Sequence, residues 1–224
     1  VAPDEIIIVS SGLPMSSVQD GGSIEISGKT VPIYGVNSFK RVTAASARNI
    51  AASLASKDII QFFDADDYLH QDHIKVTKTI FENYSDCAAL LHSYVKSIQN
   101  IPPVMAVNHS YDKNNVKDMR NWDSDRNRPV FPAVEVGDGI ALGPIAILSH
   151  IFEQVKYKKF TIEDVNMAHQ LFVEKNVTVK SYVFPLMTYF PAAESGRGNT
   201  GNLTGELALM GNIGNDLSKP FPHH

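Results

Sequence analysis

Ile59-Ile60-Gln61-Phe62-Phe63-Asp64-Ala65-Asp66-Asp67 is an apolar run that ends abruptly in acid. A short continuous apolar run preceded by a polar break, here Lys57-Asp58, reads as a buried strand. Open α/β sheets place their ligands at the carboxyl ends of such strands, which is where Asp64, Asp66 and Asp67 fall. Three acids within four positions repel one another, so folding alone gives no reason to gather them. A divalent cation removes the conflict, because Mg²⁺ and Mn²⁺ take carboxylate oxygens and keep positions open for phosphate. The plainer reading is a solvated acidic turn at a strand end.

Upstream, Ala44 to Ser56 is rich in alanine and other small residues, a helix able to approach a sheet closely. Glu5 to Val9 is β-branched without alternation and predicts a strand buried on both faces of a parallel sheet. Its abrupt opening leads us to expect a further strand and helix ahead of it in the natural protein. Short strands are expected around Ile24 to Ile26 and Val31 to Tyr34. Downstream, Asp72 to Tyr84 has the apolar spacing of an amphipathic helix, and Cys87 to Val95 reads as a strand. Asn108 to Pro129 is polar and aperiodic, a surface excursion bordering the site. Val130 to Ile147 predicts short strands and a tight turn. His150 to Val155 and Ile162 to Lys175 predict helices, Val177 to Pro185 a strand, and Ala192 to Asn202 a mobile loop.

The 224 residues are 43% hydrophobic and 20% charged, enough apolar material for one substantial core. A net charge of −4 offers no long-range attraction to nucleic acid, which is excluded as a partner. The single cysteine, Cys87, allows neither an internal disulfide nor a cysteine metal cluster, and reads as a buried thiol. No apolar run approaches the roughly 20 residues that span a bilayer, so we expect a soluble, cytoplasmic chain without a membrane span. On that reading the Asn-x-Ser/Thr triplets at Asn83, Asn108, Asn176 and Asn202 are chance matches.

Two further features stand out. Glu163-Asp164 opens a predicted helix behind Thr161, and acids there stabilise the helix dipole whatever else they do, with Thr161 as the cap. Arg48-Asn49 interrupts an otherwise small and apolar helix. A long cation there can reach a phosphate or the acidic turn, or pair with an acid on the surface.

In order, the opening strand and its polar turn, Ala47-Arg48-Asn49-Ile50-Ala51, Ile59 to Asp67, and Ile162-Glu163-Asp164-Val165 resemble glycosyltransferase family 2. The resemblance covers most of the chain, and its most specific part is the run from the Ala-Arg-Asn helix to Asp64-Ala65-Asp66. It implies a GT-A fold, with a mixed, mostly parallel sheet flanked by helices, in a single domain over residues 1–224. Residues 1–100 would form the nucleotide-sugar half and 101–224 the acceptor half.

The resemblance further implies Mn²⁺ or Mg²⁺ on Asp66 with Asp64 as its partner and the ribose nearby, with Asp67 less closely implicated. Asp164 would be the general base and Glu163 its rival. Ser10, Ser11, Arg48 and Arg197 would lie against the donor, Arg197 as a phosphate clamp. Ser10-Ser11 stand where the family usually carries a base-reading Asp, and the family's usual turn after the first strand is absent. The donor is therefore left among UDP-, GDP- and dTDP-sugars with UDP favoured. The acceptor would be a glycan, a protein or a lipid-linked group.

Other readings compete. Asp64-Ala65-Asp66 with Gly137-Asp138-Gly139 suggests a haloacid-dehalogenase-type phosphohydrolase, but Tyr68 and Ile140-Ala141-Leu142 stand where that chemistry needs Thr or Val and a further acid. A calcium loop from Asp64 fails at Leu69 and Lys75. A GT-A-like module that binds a nucleotide sugar or glycan without turnover is the non-enzyme alternative.

Overall fold

The computed structural model describes residues 1–11, 22–38, 42–65, 67–96, 109–119, 121–134, 137–158 and 163–189. Asp66, Thr161 and Arg197, together with the expected loop Ala192 to Asn202, lie outside the described residues.

Strand β1 (Ile6–Ser11) lies parallel to β3 (Lys29–Ser38), and β2 (Gly22–Ile26) pairs antiparallel on the other side of β3. Ser27 and Gly28, at φ 52° and 76°, make the tight β2–β3 turn, the positive-φ pair that matches the twist of a hairpin. Helix α1 (Ala44–Leu54) follows, and the Thr43 hydroxyl caps it by accepting from the Ser46 N–H at 3.2 Å.

A second sheet has the order β4-β10-β6-β11-β5, built from β4 (Ile59–Gln61), β5 (Tyr68–Leu69), β6 (Ala89–Lys96), β10 (Gly139–Leu148) and β11 (Val179–Tyr189). Strand β7 (Val116–Met119) also pairs with β11, while β8 (Trp122–Asp123) and β9 (Arg128–Pro129) form a small hairpin. The remaining helices are α2 (His73–Asn83), α3 (Ser149–Phe152) and α4 (Glu163–His169). Helix α4 continues into a wider π-type turn over Gln170–Glu174, where the Lys175 N–H reaches back to the Gln170 carbonyl at 2.9 Å.

The mixed α/β architecture is the expected one, but the balance of pairing differs. Only β1–β3 and β6–β11 are parallel among the described pairs; the others run antiparallel. Strand β10 supplies two of the antiparallel pairs, entering between β4 and β6 in the opposite direction to both. Strand β1 is half-buried along its length instead of enclosed on both faces. Part of the expected surface excursion is sheet, since β7 extends β11 and turns Met119 into the core.

Side-chain alternation along β6 divides the core in two. Ala89 and Leu91 pack with Ile147, Met167, Leu171, Phe62 and Tyr157, whereas Leu90 packs with Val76, Ile80, Cys87, Tyr182 and Leu186. Helix α4 thus covers one face of the sheet and α2 the other. Each fully buried aliphatic side chain contributes about 1.5–3 kcal/mol, so both helices are held by their apolar faces. No helix among the described residues is long and apolar enough to cross a membrane.

Candidate functional site

The acidic turn is positioned by the sheet behind it. The Phe62 N–H donates to the Ile145 carbonyl at 2.9 Å, extending β4 along β10 to the point where Asp64 leaves the sheet. The Gln61 amide donates to the carbonyls of Phe62 and Pro144, and its oxygen meets His73 Nε2 at 3.2 Å. The Asp67 N–H closes the turn on the Asp64 carbonyl at 3.1 Å, and the Asp67 side chain is buried and partnered. Asp64, in contrast, keeps 45% of its side chain exposed.

Arg48 reaches this turn from α1. Its Nη2 donates to both Asp64 oxygens, at 2.8 and 3.1 Å, and its Nη1 to Asp164 Oδ1 at 3.0 Å and Glu163 Oε1 at 3.5 Å. One guanidinium therefore ties the strand-end carboxylate to both acids at the start of α4. Neighbouring helix positions diverge by about 100°, and Asp164 is the closer of the two to Arg48. Asp164 also stays 30% exposed, against 12% for Glu163, so it is the better placed of the pair to meet a ligand.

Arg48 is itself held. It is only 11% exposed and lies over the Tyr157 ring, 5.1 Å from its centroid. The adjacent Asn49 clamps the Tyr157 main chain, donating to its carbonyl at 2.8 Å and accepting from its N–H at 3.1 Å. Phe62 meets the same ring edge-on at 5.3 Å. The strand that delivers Asp64 and the helix that delivers Arg48 thus share one buried aromatic support.

The electrostatics follow from this arrangement. Burial works against the charge on Arg48, but Asp64, with Tyr157 and Asp164, outweighs it and holds the guanidinium above its ordinary pKa. Burial pushes Asp164 up to about 6; Arg48 opposes the rise, while Glu163 and Asp64 add to it. A carboxyl titrating there takes a proton more readily at neutral pH than an ordinary carboxylate does.

The remaining expected residues are engaged elsewhere. The Ser10 hydroxyl donates to Asn37 Oδ1 at 3.0 Å; that of Ser11 donates to the Val42 carbonyl at 3.0 Å and accepts from the Val42 N–H at 2.8 Å. Both knit the end of β1 to the approach to α1. Asp138 of the phosphohydrolase reading accepts from the Lys96 N–H and so belongs to the end of β6. Cys87 is buried, as expected, with its thiol pushed up to about 12 by burial. Tyr157 carries no signal in the sequence, since it stands among lysines with no periodicity to mark it.

A family model described as "Glycosyl transferase family 2" matches residues 3–129. That span holds Arg48, Asp64 and Asp66; Glu163 and Asp164 lie beyond it. No curated protein matches the chain. Among solved structures, the crystal structure of S. aureus TarS 1-349 is similar at 8% identity with a TM-score of 0.48, over 74% of this chain and 45% of that one. The chain therefore spans less than half the length of that protein.

Proposed function

The chain belongs to glycosyl transferase family 2, matched over more than half its length, and from that membership we propose that it moves a sugar from a nucleoside-diphosphate sugar to an acceptor hydroxyl in one inverting displacement. The observation that carries the proposal is the Arg48 bridge, which joins Asp64 at the strand end to Asp164 at the helix start. Donor and acceptor chemistry need such a junction, because the attacking hydroxyl and the departing diphosphate must flank a single anomeric carbon.

Asp164 is the general base in this reading. It accepts the acceptor proton through the carboxylate that Arg48 orients, and such a group contributes about 10²- to 10⁴-fold. In this reading the nucleotide is UDP and Arg197 clamps its diphosphate, while the Ser10 and Ser11 hydroxyls are spent on Asn37 and Val42.

The residues present fit a divalent cation. Among the described residues no three His, Cys, Asp or Glu side chains form a cage, but a phosphate-borne Mg²⁺ or Mn²⁺ asks for only one or two carboxylates. Asp64 is well exposed and is oriented by Arg48 with lone pairs to spare; Asp66 is the proposed second ligand. A bound cation would offset the charge of the departing diphosphate.

The test is a panel of nucleotide sugars scored by Mn²⁺-dependent thermal stabilisation, since a ligand that binds only the folded chain raises its apparent stability. At least one donor should stabilise the chain and be consumed when acceptors are added. Stabilisation without consumption would point to a binding module, and release of inorganic phosphate from simple phosphomonoesters to a phosphohydrolase.

A further inference from the structure

Strand β4 loses its ladder just before the acidic turn. Gln61 is its last paired residue, opposite Ala146 of β10, and beyond it the Phe62 N–H reaches the Ile145 carbonyl at 2.9 Å. The residue of β10 that would follow is Pro144, which has no N–H to carry the ladder further. There β10 also slips register against β6, between Ala141 and Ala146. Main-chain pairing therefore gives out between Phe62 and Asp64, where the exposed carboxylate has to be aimed.

The Gln61 side chain supplies what the ladder lacks. Its amide nitrogen donates to the Phe62 carbonyl at 2.9 Å and to the Pro144 carbonyl at 3.0 Å, so both of its hydrogens are used across the break. That fixes which way the amide faces, and its oxygen is turned to His73 Nε2 at 3.2 Å. The Leu186 carbonyl, which His73 Nδ1 meets at 3.2 Å, already accepts the His70 N–H at 2.9 Å. A neutral imidazole donates from one nitrogen only, and the Gln61 oxygen is the acceptor that calls for it. His73 is fully buried, with its ring 4.0 Å from that of His92, so the far end of this chain of bonds is anchored in the core.

We propose that Gln61 is a positioning residue of the cation site: held by the Nε2–H of His73, it splints the strand end across the Pro144 break and so aims Asp64. Arg48 orients the Asp64 carboxylate, and Gln61 fixes the main chain that carries it. What Asp64 binds rests on the glycosyltransferase reading above, whereas the splint belongs to the unliganded chain.

The test compares Gln61→Met and Gln61→Glu with the parent. Methionine keeps the length of the side chain and removes both donors and the acceptor. Glutamate keeps an oxygen toward His73 but sets a second acceptor against the Phe62 and Pro144 carbonyls. In the unliganded chain, amide hydrogen exchange at Phe62 and Asp67 should quicken about ten-fold in both variants, while amides along β6 and β11 exchange at the parent rate. With whichever of UDP, GDP and dTDP stabilises the parent in Mn²⁺, the Mn²⁺ concentration that gives half of the thermal stabilisation should rise about ten-fold, and saturating Mn²⁺ should restore it in full. Parent-like exchange at Phe62 and Asp67 overturns the splint. Faster exchange throughout β6 and β11 overturns it too, because Gln61 would then serve the core at large. Faster exchange confined to the turn with an unchanged Mn²⁺ requirement overturns the role in the cation site and leaves the glycosyltransferase reading standing. A parent that none of the three nucleotides stabilises sinks that reading and the cation role with it, and the exchange result still decides the splint.

Discussion

Asp164 is held in a conflict that its own burial creates and Arg48 only partly relieves, and this makes its titration a usable signal. In its proposed role as general base it works deprotonated, so transfer should rise with pH through about 6. Asp164→Asn should abolish that limb along with most of the transfer while keeping donor binding. Its effect on stability runs the other way. The folded pKa lies above the unfolded one, so the folded chain holds the extra proton between roughly pH 4 and 6 and loses stability as pH rises through that window. Asp164→Asn should therefore melt higher than the parent at pH 8, by an amount on the order of 1–3 kcal/mol, with the difference vanishing near pH 4. A variant no more stable than the parent at pH 8 would remove the buried-carboxyl account. Arg48→Ala leaves Asp64, Glu163 and Asp164 without their shared cation, at a cost of about 1–3 kcal/mol. Because Arg48 opposes the rise at Asp164, the variant's activity limb should move to higher pH. An unmoved limb in a pH–rate profile would contradict the coupling of Arg48 to Asp164.

At the scale of elements, α2 is fastened behind the acidic turn by two buried histidines. His73 bridges the Leu186 carbonyl and Gln61, and its ring lies 4.0 Å from that of His92, which meets the Thr77 hydroxyl. Burial holds His73 down at about 4, against the Leu186 carbonyl, and holds His92 well below its ordinary value with His73 adding to the effect. The unfolded chain thus binds more protons between roughly pH 4 and 6.5, and the stability these rings contribute is lost as pH falls through that window. His73→Gln should flatten the acid limb of a melting-temperature profile; an unchanged slope would contradict it. Helix α1 is legible in the sequence through its alanine and small residues, and α2 through its regular apolar spacing. Strand β10 is not, because its Gly and Pro residues imitate turns. Strand β7 is short and polar, and only its long-range pairing with β11 makes it a strand.

Across the whole molecule, the sequence marks Arg48, Asp64, Glu163 and Asp164 each as a local anomaly: a cation in an alanine helix, acids at a strand end, acids at a helix start. That one guanidinium joins them has no local signature, because Arg48 and Asp164 are 116 residues apart and meet only once β4 and α1 share the Phe62–Tyr157 support. The Asn49 clamp is equally hidden, since its partners are main-chain atoms. The fold therefore builds one site from two distant acidic segments, to which the proposed reaction gives separate tasks. The most direct test measures nucleoside-diphosphate release from the stabilising donor, in Mn²⁺, by the parent, Asp66→Ala and Asp164→Asn, with donor binding followed in parallel. The parent should bind and release, Asp66→Ala should do neither, and Asp164→Asn should bind like the parent yet release at least about 10²-fold more slowly. Release at the parent rate by Asp164→Asn, or by Asp66→Ala, would contradict those separate tasks.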